Sequence, residues 1–203
     1  MNKILGFGEL MLRLTPSKHY DLISETNDFS ASFGGAEANV IIDLASRGHN
    51  CEFLTAFPEN EIGKKAISYL KNYGVDTSNI LFDNERLGKY YIEHGFSTRS
   101  SNIIYDRKNS SFSKLTIENS KLEKIIDNVS HIVLSGITPA LSDNCYKNII
   151  KICEIAKSKN IKVNEMGNPI NIANSITPTK MKPKIAGSIN SAIIYLLLAT
   201  HLF

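Results

Sequence analysis

Short apolar runs of strand length alternate with longer runs of helical period along most of this chain, and that order constrains the fold more than any other feature. Ile4 to Phe7 is a short apolar run that suits a buried strand, and Glu52 to Phe57 is the next. Between them, Asn39 to Arg47 sets Val40, Ile41, Leu44 and Ala45 on one helical face. Gly48 then stands where a left-handed C-terminal cap belongs. Ile62, Ala66, Ile67, Leu70 and Tyr73 repeat the helical spacing, and Gly74 closes that run in the same way. Strand and helix in regular succession predict an α/β fold with a mostly parallel sheet and helices on both faces.

The pattern changes between Arg86 and Ser113. Lys89 to Glu93 and Ile103 to Arg107 are strand-like runs rich in Tyr and Ile, joined by a polar, Ser-rich connector. They predict a small antiparallel flap rather than another helix. Helical spacing resumes at Leu122, Ile125, Ile126 and Val129. His131 to Ser135 follows as a core strand, and Ser142 is placed to cap a helix carrying Cys145, Ile149, Ile150, Cys153 and Ala156. Ile161 to Val163 begins a further strand. Beyond Val163 the texture shifts: Asn164 to Lys184 is loop-forming, with Pro169, Pro178 and Pro183, and no periodicity persists.

Composition matters here for what it excludes. With 42% apolar and 21% charged residues over 203 positions, the chain has the balance of a globular protein and the length for one sizeable domain. Its 23 basic and 20 acidic residues are interspersed, giving a net charge of +3 and no run dense enough for nucleic acid. Cys51, Cys145 and Cys153 are odd in number and lack CxxC spacing, which argues for reduced thiols in a cytoplasmic protein and against disulfides or zinc. The start of the chain is a poor signal peptide because Glu9 interrupts its apolar run. Ala192 to Ala199 is apolar but far short of the roughly 20 residues a spanning helix needs, so no membrane segment is expected.

Three places carry residues suited to chemistry. Gly34-Gly35-Ala36-Glu37-Ala38-Asn39 precedes a helix, where adjacent glycines and free N-terminal amides would admit an anionic or hydroxyl-rich ligand. The same residues would also make a tight turn before a buried helix. Tyr105 and Arg107 lie two apart on a strand and point to one side, so a phenol and a guanidinium could face one pocket. Arginine grips a carboxylate with two parallel hydrogen bonds, which points to an acidic ligand. An exposed flap arginine beside a packing tyrosine is the plainer alternative. Tyr90 and Tyr91 alternate faces, so at most one of them can look into that pocket. Ser135-Gly136-Ile137-Thr138-Pro139 ends a core strand, where ligands of open α/β sheets bind, or serves only as a turn. Gly6 and Gly8 match part of a dinucleotide fingerprint, but Met11 holds the third glycine position. No histidine has a partner at metal-ligand spacing.

Taken in order, GFGELMLRLTP, FGGAEANV with SRG after it, FPENEIG, YGVDTSNI and LSGITPALS resemble the ribokinase (PfkB) family of carbohydrate kinases. GELMLRLTP, GAEAN, YDR and SGITPALS lean towards its 2-keto-3-deoxygluconate kinases. The likeness covers residues 3 to 163. It implies a ribokinase-like α/β domain over residues 1 to 163, with a β lid drawn from segments near 12–33 and 86–113. Such a lid closes over the sugar and often mediates homodimerisation. By matched position, the resemblance implies that Gly34, Gly35 and Asn39 meet the sugar, joined from the lid by Tyr90, Tyr105 and Arg107. Arg107 would then suit a sugar-acid carboxylate. The implied activity is transfer of phosphate from ATP, with Mg²⁺, to 2-keto-3-deoxygluconate.

Two departures set a second expectation. Val163 leads into Asn164-Glu165-Met166-Gly167-Asn168, where the family has an acidic residue and an Asn-Tyr-Arg stretch. The family's Gly-Ala-Gly-Asp segment, source of its phosphate-binding amides and catalytic aspartate, is absent from the sequence. Residues 164–203 accordingly read as a divergent tail, a gene fragment or the product of a reading-frame change. No catalytic residue is assigned, and the chain alone is expected to bind neither ATP nor Mg²⁺ productively and to be inactive. The rival readings are a fructokinase or ribokinase of the same fold, and a non-catalytic sugar-binding or dimerising module. A nicotinamide-dependent dehydrogenase rests only on Gly6 and Gly8.

Overall fold

The computed structural model describes residues 3–166. In chain order its elements are β1 (Lys3–Phe7), β2 (Met11–Pro16), β3 (Phe29–Gly34), α1 (Ala36–Ser46), β4 (Cys51–Leu54) and β5 (Ala56–Pro58). There follow α2 (Glu61–Asn72), β6 (Leu81–Asp83), β7 (Lys89–Glu93), β8 (Asn102–Asp106), α3 (Ser111–Lys114) and α4 (Asn119–Ile126). The last four are β9 (Val129–Ser135), α5 (Thr138–Leu141), α6 (Asp143–Ser158) and β10 (Lys162–Met166).

The body is a parallel sheet in the order β10-β9-β1-β4, as the alternating periods predict. Each inner strand divides its side chains between two cores, the mark of a sheet covered on both faces. Leu5 and Phe7 of β1, with Ile132 and Leu134 of β9, pack with Leu122 and Ile126 of α4 and Ile149 and Ile152 of α6. Val133 of β9 and Phe53 of β4 turn the other way, towards Ala38 and Ile41 of α1 and Ala66 and Leu70 of α2. Gly48 and Gly74 have φ of 88° and 78°, so both helices on that face end in the left-handed turn their sequences announce. Asn60 caps α2 by accepting from the amides of Ile62 and Gly63, and Ser142 caps α6 by accepting from Cys145.

The lid is a separate sheet in the order β3-β2-β7-β8. Two antiparallel hairpins, β2–β3 and β7–β8, join through the parallel pair β2–β7. Its own core is small: Met11, Tyr90 and Ile92 are buried, with Ile103 partly so. A second parallel pair, β5–β6, flanks the body.

Several boundaries differ from the sequence expectation, each for a local reason. The first helix begins three residues before Asn39, because the small, acidic first turn Ala36-Glu37-Ala38 carries no periodic signal. The run Glu52 to Phe57 is two strands broken at Thr55, each pairing with a different partner. Val129 continues the helical spacing of Leu122, Ile125 and Ile126 but opens β9 instead. β8 starts and ends one residue early, leaving Arg107 just past the strand. β10 runs on to Met166. The apolar segment near Ala192 and the rest of the expected tail beyond Met166 lie outside the described residues. Among the described residues no helix is long and apolar enough to cross a membrane.

Candidate active site

β1 and β9 end side by side, and the turns that leave their carboxyl ends meet the N-terminus of α1 under the lid. This is where an open α/β sheet offers a ligand site. The cleft between body and lid is lined by Gly34, Gly35, Ala36 and Glu37 at the start of α1, and by Ile137 and Thr138 after β9. Met11, Tyr90, Tyr105 and Arg107 enter from the lid side, and Glu9 from the β1–β2 connection.

Five of the six residues singled out in the sequence with a ligand in mind therefore share one cavity. The sixth, Asn39, sits half-buried one turn into α1 and is not among the residues lining it. The role of the glycine pair is a matter of space rather than backbone freedom. Gly35, the N-cap, has φ −174° and ψ 145°, an extended conformation open to any residue. A Cβ there, however, would run into the carbonyl oxygen of Glu9, so any side chain would push α1 off the β1–β2 turn. A Cβ on Gly34 would come within 2.5 Å of the Tyr90 hydroxyl. Gly6 and Gly8 are explained in the same terms: their missing side chains admit Ile41 of α1 and the carboxyl of Glu37. The chain runs from them into another strand, β2, which removes the basis of the dinucleotide reading.

The tyrosine alternation holds. Tyr90 is buried towards the cleft, and its ring lies 5.9 Å from that of Tyr105. Tyr91 faces the other way and packs edge-on against Phe29. Burial pushes the Tyr90 phenol up to about 12, against a smaller downward pull from Arg13. It raises Tyr105 as well, with Arg107 opposing. Both phenols therefore stay protonated and can donate a hydrogen bond to a ligand oxygen. The Arg107 guanidinium carbon stands 5.8 Å from the centre of the Tyr105 ring, within range of a cation–π contact.

Two buried carboxyl groups that sequence reasoning misses organise this cleft. Glu37, in the first turn of α1, accepts on Oε1 from Ser135 Oγ at 2.5 Å and from Thr138 Oγ1 at 2.6 Å. The Ser135-Gly136-Ile137-Thr138 turn is thereby tied to the start of α1 through its two hydroxyls. Burial raises the Glu37 pKa above its ordinary value, and the two hydroxyl bonds offset this only in part. Glu9 accepts from Arg107 Nε at 2.7 Å and from Ser110 Oγ at 2.5 Å, and Arg107 Nη2 is 2.6 Å away. The one available signal for either residue is a charge set among apolar neighbours, which marks a buried ion as readily as an interrupted run. Glu165 of β10 also approaches this end of the sheet, its Oε1 lying 3.7 Å from where a Gly136 side chain would begin.

A parallel α/β body with a four-stranded β lid over the carboxyl ends of its strands defines a ribokinase-like fold. The description of the pfkB family carbohydrate kinases matches residues 1–174, and the chain belongs to that family. A 2-dehydro-3-deoxygalactonokinase from Haloferax volcanii is 30% identical over 141 residues, which is 70% of this chain and 44% of that protein. The crystal structure of a 2-dehydro-3-deoxygluconokinase from Thermotoga maritima is similar at a TM-score of 0.76 and 36% identity, covering 81% of this chain and 50% of that one. A ribokinase II structure from E. coli in complex with ATP and Mg²⁺ shares the fold at a TM-score of 0.72 and 20% identity, covering 81% of this chain and 52% of that one. The chain thus spans about half the length of the relatives it matches.

Proposed function

We propose that this chain supplies the sugar-binding cleft and lid of a kinase that transfers phosphate from ATP, with Mg²⁺, to a 2-keto-3-deoxy sugar acid. The observation that carries the reading is the convergence of Arg107, Tyr90 and Tyr105 from the lid on Gly35 at the start of α1. A guanidinium suits the carboxylate of such a sugar, and protonated phenols and helix amides suit its hydroxyl and keto oxygens. The names of the relatives, which act on dehydro-deoxy sugar acids, support the same class.

Among the described residues no group of three His, Cys, Asp or Glu is arranged to hold a cation. The sequence also contains no Gly-Ala-Gly-Asp segment. Phosphoryl transfer depends on positioning and on charge stabilisation around the transferring group. Without an anion-binding segment and a general base, this chain by itself binds the sugar and does not turn it over. An ATPase-coupled assay on the 203-residue chain with 2-keto-3-deoxygluconate checks this; robust turnover would refute it.

A neutral sugar is the second reading, and one observation favours it: Glu9 already neutralises Arg107. Calorimetric titration without ATP separates the two. Arg107→Ala is expected to weaken binding of the acid by about tenfold or more, the worth of a charge-assisted pair, and to leave a neutral ketose unaffected. Equal loss for both would favour the neutral sugar. The lid also exposes Tyr20, Phe96 and Ile104, and we propose it as the surface on which two copies pair. Sedimentation of the chain against an Ile104→Lys variant is expected to shift from dimer to monomer; two equal monomers would exclude it.

A further inference from the structure

Among the described ion pairs, Glu9–Arg107 is the one that joins the lid side of the cleft to the body. Its members are 2% and 17% exposed, so the pair is nearly dry. Glu9 stands just beyond β1, fixed by the sheet; Arg107 and Ser110 lie on the segment that leads from β8 back to α3. Nε and Nη2 of Arg107 both close on the Oε2 atom of Glu9, at 2.7 and 2.6 Å. Ser110 Oγ donates to Oε1 of the same carboxylate, and accepts from the Ser113 amide at 3.2 Å. Two residues of that segment therefore clamp one carboxylate of the body.

The geometry has a consequence for the guanidinium. Nε and Nη2 form one of its edges, and that edge is used up. Among the described contacts none engages Nη1, nor is Nη1 among the buried polar atoms left without a partner. Arg107 itself lines the open space of the cleft. A long arginine loses much rotamer freedom when a ligand fixes it, and one fixed beforehand spares the ligand that cost. The pairing also lets a cation sit in a dry cavity before any ligand arrives, which an unpaired guanidinium could not do cheaply.

We propose that Glu9 is a positioning residue for Arg107: it holds the guanidinium by the Nε–Nη2 edge and leaves the Nη1 side to the ligand. Glu9 thereby sets the selectivity of the cleft for a carboxylate over its neutral counterpart. The selectivity rests on the sugar-acid reading above; the positioning does not.

The test uses the 203-residue chain in two arms. In the free protein, the Arg107 Nε proton, assigned by NMR through its loss in Arg107→Lys, is expected to exchange with water at least about tenfold slower than in a free arginine, as a buried charge-assisted bond requires. Exchange as fast as free arginine would overturn the proposal, and this measurement needs no sugar and no Glu9 variant. Glu9→Gln, which keeps the shape and removes the charge, is expected to abolish that protection, with Glu9→Asp retaining part of it. In the second arm, calorimetry gives the affinity ratio of 2-keto-3-deoxygluconate to its carboxamide. Folded Glu9→Gln is expected to lower that ratio about tenfold, the scale of losing a preorganised arginine; an unchanged ratio counts against the selectivity role. If the unaltered chain binds neither compound, the sugar-acid reading falls with its selectivity claim, while proton exchange still decides the positioning.

Discussion

The body and the lid are both β-sheets, yet they are held together by different means. In the body, side chains from both faces of β1 and β9 are buried under helices, and eighteen buried residues make up one of its two cores. In the lid the buried core is three residues, and the outer face shows Ile104 and half-buried Tyr91 to solvent. Partly exposed ion pairs take over there: Arg86 and Lys89 flank Asp106, and Arg99 faces Glu93. Apolar burial grows with area whereas exposed charge pairs contribute little. The lid should therefore open locally at far less cost than the body unfolds, which suits a cover over a ligand cleft.

The sharpest test of this contrast is the body's own core. Ile132→Ala in β9, fully buried between two helices, should cost about 2–5 kcal/mol and lower the unfolding midpoint of every probe together. If only part of the molecule responded, the body would not be a single cooperative unit. Glu37, buried where the start of α1 meets the end of β9, probes the body by pH. Its pKa is raised, so the folded state holds the proton more tightly than the unfolded one. Its contribution to stability is complete below the ordinary value of 4.5 and is lost as pH rises through the folded value. Glu37→Gln, permanently neutral, should thus gain on the parent as pH climbs in urea titrations; a difference that stays flat or runs the other way refutes it.

Smaller effects belong to the lid. Ile103→Ala, partly buried against Met11 and Tyr90, should cost roughly 1 kcal/mol and speed amide exchange in β7 and β8 while leaving β1 unchanged. Equal acceleration in β1 would merge the two regions into one. The least effect is expected from Asp106→Asn, which breaks the pairs with Arg86 and Lys89, whose members are 37%, 39% and 46% exposed, and should cost less than about 1 kcal/mol in all. A larger loss would mean that the lid leans on its charges more than exposure suggests.

The same contrast explains what can be foreseen from residues alone. Gly48 and Gly74 bound both helices on one face of the sheet, and tyrosine alternation marks the strand Lys89–Glu93, because these signals are local. Gly34, Gly35, Tyr90, Tyr105 and Arg107 stand out in the sequence and do share a cavity. Glu9 and Glu37 escape notice because their partners lie about a hundred residues away: Glu9 meets Arg107 at a separation of 98, and Glu37 meets Thr138 at 101. No spacing rule reaches that far. What such a pair leaves in the sequence is only a charge where the neighbours favour an apolar residue.

The lid's two hairpins are stitched together by a parallel pairing in which Leu12 lies opposite Lys89. During synthesis the first hairpin therefore emerges long before its partner exists, since α1, β4, β5, α2 and β6 must be made in between. Until then the β2 flank that will receive β7 stays open to any passing strand. The cover of the cleft is consequently the part of this molecule that matures late, after the intervening half of the body has brought its two halves within reach.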